Sequence, residues 1–223
     1  MKQLFIKRKY ELLLFALMQH LYMGALVSDI RFYIEVLWPI NMLILSLASI
    51  VVFMKRGRAK TMFRNVMAIV VITFPILLPL FQKCPIYMFM LNLCYVIFFV
   101  FIFLEVFRFL VKPSYINTDI ISAAACGVFL IIEIFVFVFQ LFAYHNHTAF
   151  KGLGYTSPAY IFTDLVYYCS ITFTTIGYGD ITPNIHNTKL IASLIGVIGQ
   201  FYSVVLLGIL ISKFTGSINS TKK

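Results

Sequence analysis

The stretch Thr174-Thr175-Ile176-Gly177-Tyr178-Gly179-Asp180 lies between an amphipathic segment, Ser157 to Phe173, and a long apolar run over residues 187–213. Non-helical backbone at membrane depth is costly unless it lines a water-filled cavity or is buried in protein, so a Gly-Tyr-Gly run in this setting demands a reason. Cation coordination supplies one. An extended strand can turn successive carbonyls to one side only if alternate residues take unusual dihedrals, and Gly177 and Gly179 allow those dihedrals without a Cβ penalty. Four such strands around an axis would offer the carbonyls of Thr175, Ile176, Gly177 and Tyr178, with the Thr175 hydroxyl, as stacked cages replacing the hydration shell of K⁺. One chain carries one strand, so the reading requires four chains.

Working outward, the composition agrees with a membrane setting. Of 223 residues, 61% are hydrophobic and 12% charged, far more apolar than a water-soluble domain of this size. A bilayer core of about 30 Å needs about 20 apolar residues per helix. Six stretches meet that demand, near 10–28, 32–54, 62–82, 85–111, 119–144 and 187–213, and the third carries Pro75 and Pro79, which predict a kink. The segment Tyr155 to Pro183 reads as a re-entrant loop. The expected fold is thus an all-α membrane protein of six transmembrane helices, a re-entrant pore helix and a filter strand.

The formal net charge of +10 is distributed by side rather than spread. Lys and Arg concentrate in short cytoplasmic loops. One face of the six-span layout collects Lys2, Lys7, Arg8, Lys9, Lys55, Arg56, Arg58, Lys60, Arg64, Arg108, Lys112, Lys213, Lys222 and Lys223, fourteen in all; the other holds Arg31, Lys83, Lys151 and Lys189. Both termini are therefore expected in the cytoplasm. The basic start reads as the lead into a retained first span, since Glu11 and His20 interrupt the apolar run and no small-residue cleavage pattern follows. Membrane lipid, rather than nucleic acid, is the expected surrounding of these charges, and with the last span ending near Lys213 no cytoplasmic ligand-binding domain is expected. Cys84, Cys94, Cys126 and Cys169 have no C-x-x-C spacing, so neither a metal site nor a disulfide framework is indicated.

Residues 174–180 match the potassium-channel signature, and six spans with a loop before the last resemble the voltage-gated-like cation channel superfamily. The resemblance implies a homotetramer in the plasma membrane, with a voltage-sensor-like domain over residues 1–112, a pore domain over 113–216 and a short cytoplasmic tail over 217–223. K⁺ would be the permeant ligand, held along Thr175, Ile176, Gly177, Tyr178 and Gly179, with no other cofactor. Thr174 and Asp180 would support the filter, Asp180 at its outer mouth, and Tyr167 and Tyr168 stand where the family often has tryptophans behind the filter tyrosine. On the last span, Gly199 falls where related channels place a hinge; Gly196 and Gly208 read as packing positions, and close helix packing is an equal alternative for Gly199. Gln200, Ser203, Leu207 and Ile211 follow helical spacing and would line the cavity, Leu207 and Ile211 narrowing its inner end as a gate.

One departure from the family pattern is plain. Voltage sensing uses several arginines on the fourth helix, each worth about 2.3 kcal/mol per 100 mV. Here Met88, Leu91, Cys94, Ile97 and Val100 occupy the three-residue spacing, with no basic residue between Lys83 and Arg108. Weak voltage dependence or none is expected. Ionisable groups within spans usually have a partner or a task. Glu105 is expected to pair with Arg108 one turn away, Glu35 to be hydrated near the outer interface, and Glu133, deepest of the three, to be a gating and pH-sensing candidate beside the titrators His20, His145, His147 and His186. Asn146-His147-Thr148 is a glycosylation sequon on the predicted outer loop. One rival keeps the fold and changes selectivity, a non-selective cation channel; the other comes from a different class, a non-conducting membrane subunit that assembles with other channels and modifies them. An enzyme is disfavoured, since the sequence has no nucleophile elbow, metal-ligand cluster or separate phosphate loop.

Overall fold

A computed structural model describes residues 8–27, 29–52, 58–81, 84–112 and 118–221. The expected domain boundary at 112/113, and Lys2, Lys7, Lys55, Arg56, Lys83, Lys222 and Lys223, touch or lie outside those residues.

Apolar sequence of this density can satisfy its backbone only locally, so the described chain is almost wholly helical. Helix α1 spans Lys9–Tyr22 and tightens into a 3₁₀ turn at Met23–Leu26. Helix α2 begins at Ile30–Phe32, passes through a π-helical turn at Tyr33–Leu37 and continues as Trp38–Val52. Helix α3 covers Arg58–Phe81 and stays helical through Pro75 and Pro79, and α4 runs Pro85–Val111 with Pro85 in its first turn, where the missing N–H is no loss. Helix α5 is Thr118–His145. A short strand β1, Phe150–Lys151, precedes α6, Pro158–Phe173; strand β2, Thr182–Pro183, then leads into α7, His186–Thr221.

Among the described residues, three helices are long and apolar enough to cross a membrane: α4, α5 and the Thr215-bounded part of α7. These are the expected fourth, fifth and sixth spans. The fourteen α-helical residues of α1 extend about 21 Å, and the 3₁₀ turn that continues them adds about 8 Å. In that turn the chain is pressed against α6: a Cβ at Gly24 would stand 2.9 Å from Thr163 Cγ2.

Helix α5 is the central element, with 72% of its apolar window buried against 17% for α7. Tyr95 meets Phe137 at 4.7 Å between ring centres, Phe99 stacks on Phe137 at 5.6 Å, and Pro85 and Asn92 line one pocket with Tyr144 and His145, so α4 folds back antiparallel along α5. The Cys126 thiol reaches the Tyr10 carbonyl at 3.3 Å and His20 meets Glu133, so α1 runs alongside α5 in the same direction. Tyr202 of α7 donates to the Ala124 carbonyl at 2.9 Å, a contact possible only because position 127 is glycine: a Cβ there would fall 1.9 Å from the Tyr202 hydroxyl. The basic ends gather together as well, with Lys213 of α7 donating to the Lys112 carbonyl at 2.6 Å and Lys9 of α1 lying over the Phe109 ring of α4. All four cysteines are free thiols.

Candidate functional site

Helix α6 is built from local signals. Ser157 caps it, its hydroxyl accepting from the Tyr160 N–H, and Pro158 opens the first turn. At its C-terminus the helical carbonyls, instead of ending unpaired, take amides of the strand that follows. Thr175 N–H donates to the Thr172 carbonyl at 3.1 Å, and Ile176 and Gly177 both donate to the Ile171 carbonyl, at 2.9 and 3.2 Å. The base of the strand is thereby tied to the end of the helix, whose dipole leaves partial negative charge there.

Along the strand, Thr175, Gly177 and Gly179 have φ of +62°, +55° and +83°. Every second residue is left-handed. This is the alternation that lets successive carbonyls be turned to one side, and it extends one residue further down than the two glycines alone predict. Thr175 takes the conformation with a β-branched side chain, at a cost of order 1–3 kcal/mol that only surrounding structure can offset. Residues 174–180 are exposed in the single chain, Ile176 at 56% and Tyr178 at 71%.

Support from behind is unequal. Tyr167 donates its hydroxyl to Asp180 Oδ2 at 2.7 Å, and its ring lies nearly parallel to Tyr178, 6.4 Å between centres. That hydrogen bond holds the Asp180 carboxyl below its ordinary range. Tyr168 does not join them. It is buried, packing edge-on against Phe139 of α5 and Phe150 of β1 at 5.6 and 5.4 Å. Successive residues on a helix point about 100° apart, so within one chain two adjacent tyrosines cannot both face the strand. Thr174 caps α6, its hydroxyl donating to the Ser170 carbonyl at 2.8 Å.

The exit of the strand carries a feature that sequence reading missed. β1 pairs antiparallel with β2, Phe150 opposite Pro183 and Lys151 opposite Thr182, and Asn184 N–H and the Thr188 hydroxyl both donate to the Ala149 carbonyl at 2.8 and 3.0 Å. Gly152, with φ +80°, permits the approach, since a Cβ there would stand 2.1 Å from the Asp180 carbonyl oxygen. Two residues per strand give no alternation to detect; the one available signal was Gly152 itself.

On α7, Gly199 abuts the end of the pore helix: a Cβ would lie 2.9 Å from Phe173 Cδ2 and 3.0 Å from its carbonyl oxygen. Close approach is therefore present at Gly199, and α7 is an unbroken helix through it. Gly196 and Gly208 face open space in the single chain. Gln200, Ser203, Leu207 and Ile211 are all exposed on the same helix, together with Val197, Phe201 and Val204.

The remaining ionisable residues fall into place. Glu105 is buried and accepts from Arg108 at 2.7 Å; Glu35 is exposed. Glu133 is fully buried and bonded not to the pore helix but to His20 of α1, Glu133 Oε1 to His20 Nδ1 at 2.6 Å. Met88 and Leu91 are buried in the core whereas Ile97 is 43% exposed, so the row of apolar residues at the three-residue spacing winds from the interior to the surface of α4.

A family model described as an ion channel matches residues 127–216, which run from mid-α5 through α6 and the strand after it to α7. Two-pore potassium channel 4 of Arabidopsis thaliana is 24% identical over 101 residues, 45% of this chain and 36% of that protein. The chain thus spans little more than a third of the length of this curated relative. No solved structure matches. Family match and helical architecture together support an ion channel in a membrane.

Proposed function

We propose that four copies of this chain enclose a potassium-selective pore through which K⁺ moves passively, with weak or no intrinsic voltage sensing. The observation that carries the reading is the alternation of left-handed backbone at Thr175, Gly177 and Gly179, on a strand anchored to the C-terminal end of α6. A strand of that form has one evident use at membrane depth, which is to stand its carbonyls in for the water around a dehydrated cation. K⁺ would be coordinated by Thr175, Ile176, Gly177, Tyr178 and Gly179, with Tyr167 and Asp180 bracing the mouth. The printed name of the plant relative, a potassium channel, supports the choice of ion.

Fourfold assembly accounts for the exposed side of α7. Val197, Phe201, Val204, Leu207 and Ile211 are all more than half exposed in one chain. Around a shared axis some of these become interhelical contacts, while Gln200, Ser203, Leu207 and Ile211 line a cavity that narrows at Leu207 and Ile211. The basic ends of α1, α4 and α7 would face the cytoplasm and the filter mouth the outside of the plasma membrane. Without arginines between residues 83 and 108, α4 has no row of gating charge.

The test is a flux measurement on purified protein in vesicles. Uptake of Rb⁺, as a K⁺ surrogate, driven by an outward K⁺ gradient and at least tenfold above Na⁺ uptake is expected. Equal Rb⁺ and Na⁺ uptake would favour the non-selective rival, and an assembled tetramer passing neither ion would favour a modulatory subunit.

A further inference from the structure

The His20–Glu133 pair joins positions 113 residues apart, and its side chains are 1% and 0% exposed. Each side chain uses one atom in the contact and leaves the other, His20 Nε2 and Glu133 Oε2, without a partner. Such a pair is a costly way to fill a core, because apolar residues of similar volume commonly serve stability as well or better. Packing alone therefore does not explain it.

Its location suggests what does. The His20 ring stands edge-on to Phe162 of the pore helix at 5.2 Å and stacks near Phe137 of α5 at 6.4 Å. Phe162 also contacts Trp38 of α2 at 5.3 Å and Phe137 at 5.9 Å, and Phe137 stacks on Phe99 of α4. Besides His20, the titratable groups among the described residues that feel the charge of Glu133 include Tyr33 of α2, Tyr95 of α4 and Cys169 of α6. Helices α1, α2, α4, α5 and α6 thus meet at one polar contact on the back of the helix whose other end carries the filter strand.

We propose that His20 and Glu133 are positioning residues for the filter: their hydrogen bond fixes α1 against α5 so that His20 and Phe137 hold Phe162, and through it the pore helix, in register. The peripheral helices then act on the filter from behind rather than on the inner end of α7. This rests on the conduction reading above.

The ratio of Rb⁺ to Na⁺ uptake in the same vesicles is the readout, since it does not depend on how much protein is folded. Glu133→Leu, and the doubly apolar His20→Leu/Glu133→Leu, which leaves no uncompensated charge, are expected to lower that ratio about tenfold, within the range typical of coupling between sites. Glu133→Gln, which keeps an acceptor for His20, is expected to return it toward the wild-type value. A double variant that assembles and discriminates as the wild type does overturns the positioning role. A wild-type tetramer that fails to discriminate overturns the conduction reading, and this role with it.

Discussion

Gly199→Ala separates a hinge from a packing contact, because the two predict opposite signs. At a hinge, alanine removes about 0.5–1 kcal/mol of the conformational cost of glycine in a helix, so each subunit becomes more stable and the pore stiffer. At a packing contact the added methyl must be accommodated. Here it would stand 2.9 Å from Phe173 Cδ2, 3.0 Å from Phe173 O and 3.2 Å from Phe173 Cε2. The ring is buried and the carbonyl is backbone at the end of the pore helix, so neither yields without moving the other. Overpacking of this kind costs about 1–3 kcal/mol, which exceeds the gain in helix propensity and leaves a net loss of about 1 kcal/mol per subunit. With a shift of about 2–4 °C per kcal/mol for a chain of this size, thermal unfolding in detergent should begin a few degrees earlier. Rb⁺ over Na⁺ discrimination should fall with it, as the displaced Phe173 adjoins Thr174. A variant as stable as the wild type, or more so, with altered opening alone, would refute the packing argument.

Further outcomes follow from the same contacts. Gly127→Ala places a methyl 1.9 Å from the Tyr202 hydroxyl and should destabilise by about 1–3 kcal/mol, read by unfolding midpoint, with Tyr202→Phe relieving part of the clash. Tyr167→Phe removes the bond that holds Asp180 below its ordinary range. A lowered carboxyl contributes stability above its unfolded pKa and loses it as pH falls through the folded value, so the difference between variant and wild type should be present at neutral pH and vanish in strong acid; a difference that persists there would count against the bond. Stepping the membrane potential should change open probability shallowly, and a curve needing several charges per subunit would contradict the reading of α4.

The alternation in backbone hand along residues 175–179 was legible in part, because only a backbone required to alternate in hand needs Gly177 and Gly179 two apart. Thr175 shares that alternation, but as a β-branched residue it gives no such sign. The last three spans were legible from length and apolarity, whereas the tightening of α1 into a 3₁₀ turn at Met23–Leu26 has no hydropathy signature. The expected Glu105–Arg108 pair is present because three residues on a helix fix the distance. The partner of Glu133 was beyond reach for the converse reason. Burial of a carboxylate announces that a partner is needed, yet nothing local points to His20 on another helix. Pairing Tyr167 with Tyr168 followed the family pattern and overlooked helical geometry, which sends one toward the filter tyrosine and the other into the core.

Bi-ionic reversal potentials across bilayers containing only the purified chain test the central claim most directly. With K⁺ on one side and an equal concentration of Na⁺ on the other, the account predicts a reversal potential displaced far from zero in the direction of K⁺ selectivity, collapsing when Gly177→Ala forces a Cβ onto the left-handed position. A reversal potential near zero for the unaltered chain would contradict it.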